Sequence, residues 1–119
     1  MENVKGRRRI KKLDHVVVFI TAATTDEAQN ISNILVSRRK AACVNIVAQV
    51  NSIFWWQGKI ESADEALLIV KTKATLLEEL IELVKQNHSY DVPEVIALPI
   101  IGGNRDYLQW LDDETGLKL

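Results

Sequence analysis

The sequence has few residues that interrupt helices and strands or form cross-links: it holds one cysteine, two prolines and five glycines among 119 residues. A single cysteine, Cys43, cannot form an internal disulfide or a zinc site built from several thiolates, which excludes a disulfide-stapled secreted domain and a zinc finger. The chain is 47% hydrophobic and 26% charged. This composition is that of an ordinary globular protein with one domain.

Long apolar runs are also missing, since no run approaches the roughly 18 residues of a membrane helix. The basic N-terminus leads into a β-branched segment without a small-residue cleavage site, so we expect a cytoplasmic protein without membrane contact. Residues 1–14 hold six basic and two acidic residues, a net charge of +4, which leaves −5 for residues 15–119. We predict a basic, solvated tail over 1–14 and one domain over 15–115, whose acidic surface disfavours nucleic acid.

The first half of the chain predicts a strand, a helix and a second strand. A β-branched run covers residues 16–21, and Thr24 with Glu27 forms a capping box that predicts a helix over 25–39. Alternating residues then predict a strand from Ala41 to Trp56, with a bulge near Asn51.

The second half continues the same alternation. The turn Gln57-Gly58-Lys59 and the apolar run 66–72 complete a long hairpin. A second capping box, Thr75 with Glu78, predicts a helix over 75–88, and a fourth strand follows over 94–101 with Pro99 at a sheet edge. A short helix carries Tyr107, Leu108 and Leu111. This order defines an α+β fold, the ferredoxin-like βαββαβ arrangement with a long central β-hairpin and a short C-terminal helix.

The strands are apolar on both faces. Residues 16–20, 66–70 and 95–101 are apolar at nearly every position, yet the fold supplies long helices to one face only. We therefore predict an obligate oligomer in which a second copy covers the other face. The alternative is a monomer in which the C-terminal helix and the hairpin cover that face.

A few residues are candidates for chemistry. The adjacent Trp55 and Trp56 point to opposite faces of a strand, which favours one core and one interface tryptophan over a ligand platform. His88 at a helix end either offsets the helix dipole or binds a metal or moves a proton. Cys43 is either a small core residue or a reactive thiol. No motif typical of a Ser or Cys nucleophile activated by a histidine is present, and there is no glycine-rich phosphate loop.

Five segments in sequence resemble the CutA family of divalent-cation-tolerance proteins, over residues 16–111. They are Arg39–Ile46 (RKAACVNI), Ile53–Ile60 (IFWWQGKI), Leu68–Thr72 (LIVKT), His88–Val95 (HSYDVPEV) and Tyr107–Leu111 (YLQWL). The resemblance implies tight homotrimers of ferredoxin-like subunits, tolerance to copper and other divalent cations, and a likeness to the signalling PII proteins. It implies no catalytic reaction, and therefore a binding protein rather than an enzyme.

The resemblance also implies a set of site residues. A divalent metal such as copper or zinc, not required for folding, is expected at His88 and Cys43, and ligand contacts are expected at Trp55, Trp56, Tyr90 and Glu94. Ser89 stands where the family motif has proline, which leaves the loop after His88 less restricted.

The expected function is metal or small-ligand binding at a cleft between subunits, in a homotrimer whose only expected macromolecular partner is itself. The principal alternative is a stable trimeric scaffold that docks other proteins. An RNA-binding module of the same topology is disfavoured because the strand 66–72 lacks aromatic residues. A small enzyme using Cys43 or His88 lacks a visible partner group.

Overall fold

A computed structural model describes residues 14–116, so the tail predicted over 1–14 lies outside the described residues except for Asp14. Four strands and three α-helices follow one another in the predicted order. They are β1 (His15–Ala22), α1 (Thr25–Ser37), β2 (Cys43–Trp56), β3 (Lys59–Lys73), α2 (Leu77–Asn87), β4 (Val95–Pro99) and α3 (Arg105–Glu114), with a 3₁₀ turn at Ala74–Leu76.

The strands form one antiparallel sheet in the order β2-β3-β1-β4. Pro99 pairs with Val16 at the outer edge of the sheet, where its missing N–H costs no ladder bond. This confirms the α+β fold and the edge position of Pro99. The fourth strand is shorter than predicted, because the chain leaves the ladder after Pro99 on its way to α3.

The core lies between one face of the sheet and helices α1 and α2. Alternate residues of β1 and β3 point into it, among them the fully buried Val18, Ile20 and Leu68. Leu35 from α1 and Leu80 from α2 cover them and are also fully buried. Burial of each large apolar side chain stabilises the fold by about 1.5–3 kcal/mol. This layer is therefore the main source of stability.

The opposite face of the sheet is apolar and only partly covered. Helix α3 lies over the end where β1 begins: the His15 Nε2 atom is 2.9 Å from Asp112 Oδ1, and Leu111 is fully buried. Farther along this face, Ile96 and Leu98 remain 53% and 50% exposed. The apolar second face inferred from the strand sequences is therefore present in the folded subunit, and α3 leaves much of it open.

Strands β2 and β3 extend beyond the rest of the sheet as a two-stranded arm. Strand β1 ends at Ala22, which pairs with Ala66, so residues 50–56 and 59–65 pair only with each other. We call these two segments the hairpin arm. At its tip Gln57 and Gly58 have φ values of +49° and +79°, the left-handed pair of a two-residue hairpin turn.

One local prediction needs correction and another holds. The capping box at Thr75 and Glu78 is wrong: the chain enters α2 through the 3₁₀ turn, and no side chain caps the helix. Burial of Leu76 in the core accounts for this entry. The bulge is confirmed, slightly earlier than predicted, between Val47 and Val50. Among the described residues, none of the helices has the length and hydropathy needed to cross a membrane.

Candidate functional site

His88 is the C-cap of α2 and is buried at the end of β1, with none of its side chain exposed. Its Nε2 atom lies 2.7 Å from the carbonyl oxygen of Thr21, and its Nδ1 atom accepts the Tyr90 N–H at 3.0 Å. Because a carbonyl only accepts, Nε2 is the donor in the first of these bonds. Both ring nitrogens are therefore already in use.

Glu27 fastens the loop after His88 to the start of α1. Its carboxylate accepts the Ala23 N–H at 2.9 Å, the Ser89 N–H at 2.6 Å and the Ser89 hydroxyl at 3.1 Å, and it lies 4.0 Å from His88 Nδ1. Burial by itself raises the pKa of the Glu27 carboxyl, but these hydrogen bonds and the nearby His88 ring outweigh it, so the pKa lies below its ordinary value. Thr24 Oγ1 accepts the Glu27 N–H, which confirms Thr24 as the N-cap of α1. The Glu27 carboxylate accepts the Ala23 N–H rather than the Thr24 N–H that would close a capping box.

The two bonds from Ser89 to Glu27 change the expectation for this loop. A proline at position 89 would have no N–H and no hydroxyl to donate. In this chain hydrogen bonds restrict the segment at the position where the family motif has a proline ring.

Tyr90 extends the same cluster to β3. Its hydroxyl donates to Glu65 Oε2 at 2.7 Å, and its ring packs 4.8 Å from the His88 ring. Burial, the hydrogen bond to Glu65 and the charges of Glu65 and Glu27 raise the pKa of Tyr90 to about 12. The residues Glu27, Glu65, His88, Ser89 and Tyr90 thus form one hydrogen-bonded group, which we call the His88 cluster.

The structure separates the other ligand candidates from this cluster. Glu94 is exposed just before β4. Trp55 and Trp56 lie at the tip of the hairpin arm, 72% and 58% exposed, so neither is a core residue and that part of the tryptophan prediction is wrong. Trp56 pairs with Lys59, which is six residues from Glu65 along β3. The tip of the arm is therefore about 20 Å from Glu65, the residue that accepts the Tyr90 hydrogen bond.

Cys43 belongs to a different group on the second face of the sheet. Its half-buried thiol lies 3.8 Å from Lys71 Nζ and 3.9 Å from Asn45 Oδ1, and Lys71 also donates to Asn45. Tyr107 from α3 contacts the same sulfur, and burial together with this thiol raises the pKa of the Tyr107 phenol. Cys43 is thus a half-buried residue among polar side chains and not an apolar core residue.

The predicted metal ligands do not meet within one subunit. Cys43 pairs with Lys71, whereas His88 bonds to Thr21, which pairs with Leu67 four residues away on β3; the separation along the strand is about 13 Å. Nowhere between residues 14 and 116 do three or more His, Cys, Asp or Glu side chains stand close enough to hold a metal ion. A copper or zinc ion, whose ligands lie about 2.0–2.3 Å away, cannot contact both His88 and Cys43 of one subunit.

Sequence reasoning overlooked Glu27, Glu65 and Lys71 as members of these groups. Glu27 was visible only as a helix-capping residue, and its bonds to Ser89 span 62 positions in the chain. No periodicity or motif in a single sequence reports a contact of that range.

Comparison with known proteins places this geometry among characterised relatives. The model of the family described as CutA1 divalent ion tolerance protein matches residues 16–114. The rice protein named "Protein CutA 1, chloroplastic" is 49% identical over 84% of this chain, and the chain spans 56% of that relative's length. The Thermus thermophilus "Divalent-cation tolerance protein CutA" is also 49% identical, over 84% of this chain and 97% of the relative.

Solved structures agree with the fold. The crystal structure of CutA1 from Oryza sativa superposes with a TM-score of 0.86 at 46% identity, covering 89% of this chain and 97% of that one. The Thermus thermophilus structure gives a TM-score of 0.84 at 48% identity, covering 86% and 99%. One relative's name places it in the chloroplast, so a cytoplasmic location for this chain stays a prediction.

Proposed function

Because the chain belongs to the CutA1 divalent ion tolerance family, we propose that it is a non-enzymatic homotrimer that binds a divalent cation or small ligand in clefts between its subunits. The observation that carries this proposal is the hairpin arm. The count of three is what the sequence resemblance implies, and the need for partner subunits follows from the surface.

The arm carries exposed apolar side chains on both of its faces, and within residues 14–116 its two strands pair only with each other. Ile53, Trp55 and Ile60 are 70%, 72% and 65% exposed, and Trp56 on the opposite face is 58% exposed. An isolated two-stranded ribbon is marginally stable in water, and an apolar surface of this extent on a monomer is an aggregation hazard. Copies of the same chain would cover both the arm and the open second face.

Such an assembly would also bring the ligand candidates together. Within one subunit Trp55 and Trp56 are about 20 Å from the His88 cluster along β3. An arm from one subunit lying across the cluster end of another would place an indole beside Tyr90 and Glu94. A cation in this cleft would have oxygen ligands from carboxylates such as Glu94, which suits divalent ions.

The side-chain contacts favour binding over catalysis. His15 is bonded to Asp112, and His88 to Thr21 and Tyr90 backbone atoms. In residues 14–116, therefore, no histidine is bonded to a hydroxyl or thiol that it would activate as a nucleophile. A scaffold that docks other proteins through the same assembly is the second candidate function, because the exposed Val92 and Ile101, 89% and 91% exposed, offer further apolar contacts.

Native mass spectrometry of the wild type and of Trp55→Lys tests the assembly. Trp55 is mostly exposed, so the lysine leaves the subunit fold intact while placing a charge in the contact. We expect three subunit masses for the wild type and one for the variant. Gln86→Lys, on the exposed surface of α2, adds the same residue away from the arm and should remain trimeric. A monomeric wild type would refute the proposal.

Calorimetric titration with Cu²⁺ and Zn²⁺ tests the cleft. We expect binding by the wild-type trimer, at least tenfold weaker binding by Glu94→Gln, and none by the monomeric Trp55→Lys. Binding that is equal in all three proteins would place the ion elsewhere. Absence of binding in a confirmed trimer would leave the scaffold function.

A further inference from the structure

A thiol and an amine lie against each other on the second face of the sheet. Cys43 on β2 and Lys71 on β3 are directly opposed in the antiparallel ladder, and side chains opposed in this way lie close together on one face. The Lys71 Nζ atom donates to Cys43 Sγ at 3.8 Å. Both residues are half-buried, so the fold holds the contact while a molecule as small as hydrogen peroxide still reaches the sulfur.

Two further side chains complete the surroundings of the sulfur. Asn45 follows Cys43 on the same face of β2, and its Oδ1 atom accepts hydrogen bonds from the Lys71 ammonium and, at 3.9 Å, from the thiol. Tyr107 from α3 also contacts the sulfur. The Cys43 sulfur therefore has an amine, an amide and a phenol beside it, and of these the deprotonated amine is the strongest nucleophile.

Oxidation of Cys43 calls for a partner that the sequence does not supply as a thiol. Cys43 is the single cysteine of the chain, so no second thiol of the same chain can reduce it. Peroxide converts a thiolate to a sulfenic acid, whose sulfur is electrophilic. A sulfenic acid without a partner is oxidised further to the irreversible sulfinic acid, whereas a nitrogen that attacks first forms a sulfenamide, which thiols reduce.

We propose that Lys71 captures the sulfenic acid of Cys43, so that hydrogen peroxide joins β2 to β3 through a reversible S–N bond. The Cys43 thiolate attacks peroxide and breaks its O–O bond, which gives the sulfenic acid and hydroxide. The hydroxide takes a proton from the Lys71 ammonium and becomes water. The resulting amine attacks the sulfur, the S–O bond breaks, and the departing hydroxide leaves with an amine proton as a second water.

The balance of this sequence is closed. One thiolate, one ammonium and one peroxide give one S–N bond and two waters; the sulfur is oxidised by two electrons and the peroxide is reduced by two. The product has lost both the Lys71 charge and the free thiolate. A soft metal ion that binds a thiolate would therefore lose this ligand when the bond forms.

Intact mass spectrometry of the native protein after treatment with hydrogen peroxide tests the proposal. The S–N bond lowers the subunit mass by two hydrogens, whereas sulfenic and sulfinic acids raise it by one and two oxygens. We expect the loss of two hydrogens in the wild type and its reversal by dithiothreitol. Lys71→Arg keeps the charge but remains protonated and cannot attack, so this variant should gain oxygens instead. Lys73→Arg, two residues along β3, should behave as the wild type.

Tryptic peptides locate the bond. Cleavage after lysine releases residues 41–59, which contain Cys43, and residues 60–71 when Lys71 is free. A bonded Lys71 blocks cleavage after itself, so 41–59 should appear joined to 60–73. Unfolding in urea before oxidation should abolish this product, because the two side chains are then no longer opposed. A disulfide between two subunits, a gain of oxygens in the folded wild type, or a Lys71→Arg variant that still loses two hydrogens would overturn the proposal.

Discussion

Replacing Glu27 should destabilise the subunit far more than replacing its equally acidic neighbour Asp26. Glu27 accepts three hydrogen bonds, from the Ala23 N–H, the Ser89 N–H and the Ser89 hydroxyl, and its side chain is only 15% exposed. Asp26 is exposed in the same helical turn. The two residues share charge and helix position, so their difference isolates the tether between α1 and the loop after His88.

The magnitude follows from which donors lose their acceptor. Hydrogen bonds to a charged group contribute about 1.5–3 kcal/mol each when buried. Ser89 is exposed, so water replaces most of what its two donors lose, whereas the Ala23 N–H is partly buried. We expect Glu27→Ala to cost about 2–3 kcal/mol per subunit and Glu27→Gln, which keeps one acceptor oxygen, about 1 kcal/mol. Asp26→Ala should cost about 0.5 kcal/mol through the helix dipole.

Urea unfolding at a single protein concentration measures these differences, since the stability of the proposed oligomer depends on concentration. The pKa of Glu27 is lowered in the folded state, so its contribution is present above the ordinary carboxyl pKa and is lost as the pH falls through the folded value. The gap between wild type and Glu27→Gln should therefore close in acid. A Glu27→Ala effect within about 0.5 kcal/mol of the Asp26→Ala effect would refute the reasoning.

Two further predictions concern β3 and the turn of the arm. In an ultraviolet titration Tyr90 should ionise near its raised pKa of about 12, and Glu65→Gln should lower that pKa toward 10. Because the folded pKa is the higher one, the stabilising contribution of Tyr90 is present below about pH 10 and is lost as the pH rises from there to about 12. Gly58→Ala should destabilise the arm by about 1 kcal/mol in hydrogen exchange, since its φ of +79° is strained for any other residue. Gly102→Ala, in open space without a positive φ, should have almost no effect.

Local patterns sufficed for most of the fold. The β-branched run in β1 and the box at Thr24 and Glu27 located the first strand and helix because their causes are local: side-chain shape and the bonding of a helix end. The second box failed although its spacing is the same. Leu76 is buried in the core. Because this long-range packing fixes the position of Leu76, the chain enters α2 through a 3₁₀ turn.

The candidate site was harder to predict, because its contacts join distant parts of the chain. The sequence drew attention to His88 and Tyr90 but could not show Glu27 and Glu65 beside them. The placement of Trp55 and Trp56 depended on strand lengths: β1 has 8 residues and β3 has 15. Residues 59–65 of β3 extend past the end of β1 and pair only with β2. The tip of this hairpin lies beyond the core, so neither tryptophan can enter it.

The polar groups that first suggest chemistry are occupied by the fold itself. Both ring nitrogens of His88 are bonded to backbone atoms, and the Tyr90 hydroxyl is bonded to Glu65. What the described subunit offers to partners is mainly apolar: Trp55 and Ile53 on the arm and Ile96 on the open sheet face. Apolar surface gives affinity without strong chemical selectivity. In the assembly proposed above, selectivity for a cation or ligand would come from the few polar groups that lie next to that surface, and Glu94, exposed just before β4, is the one best placed to supply it.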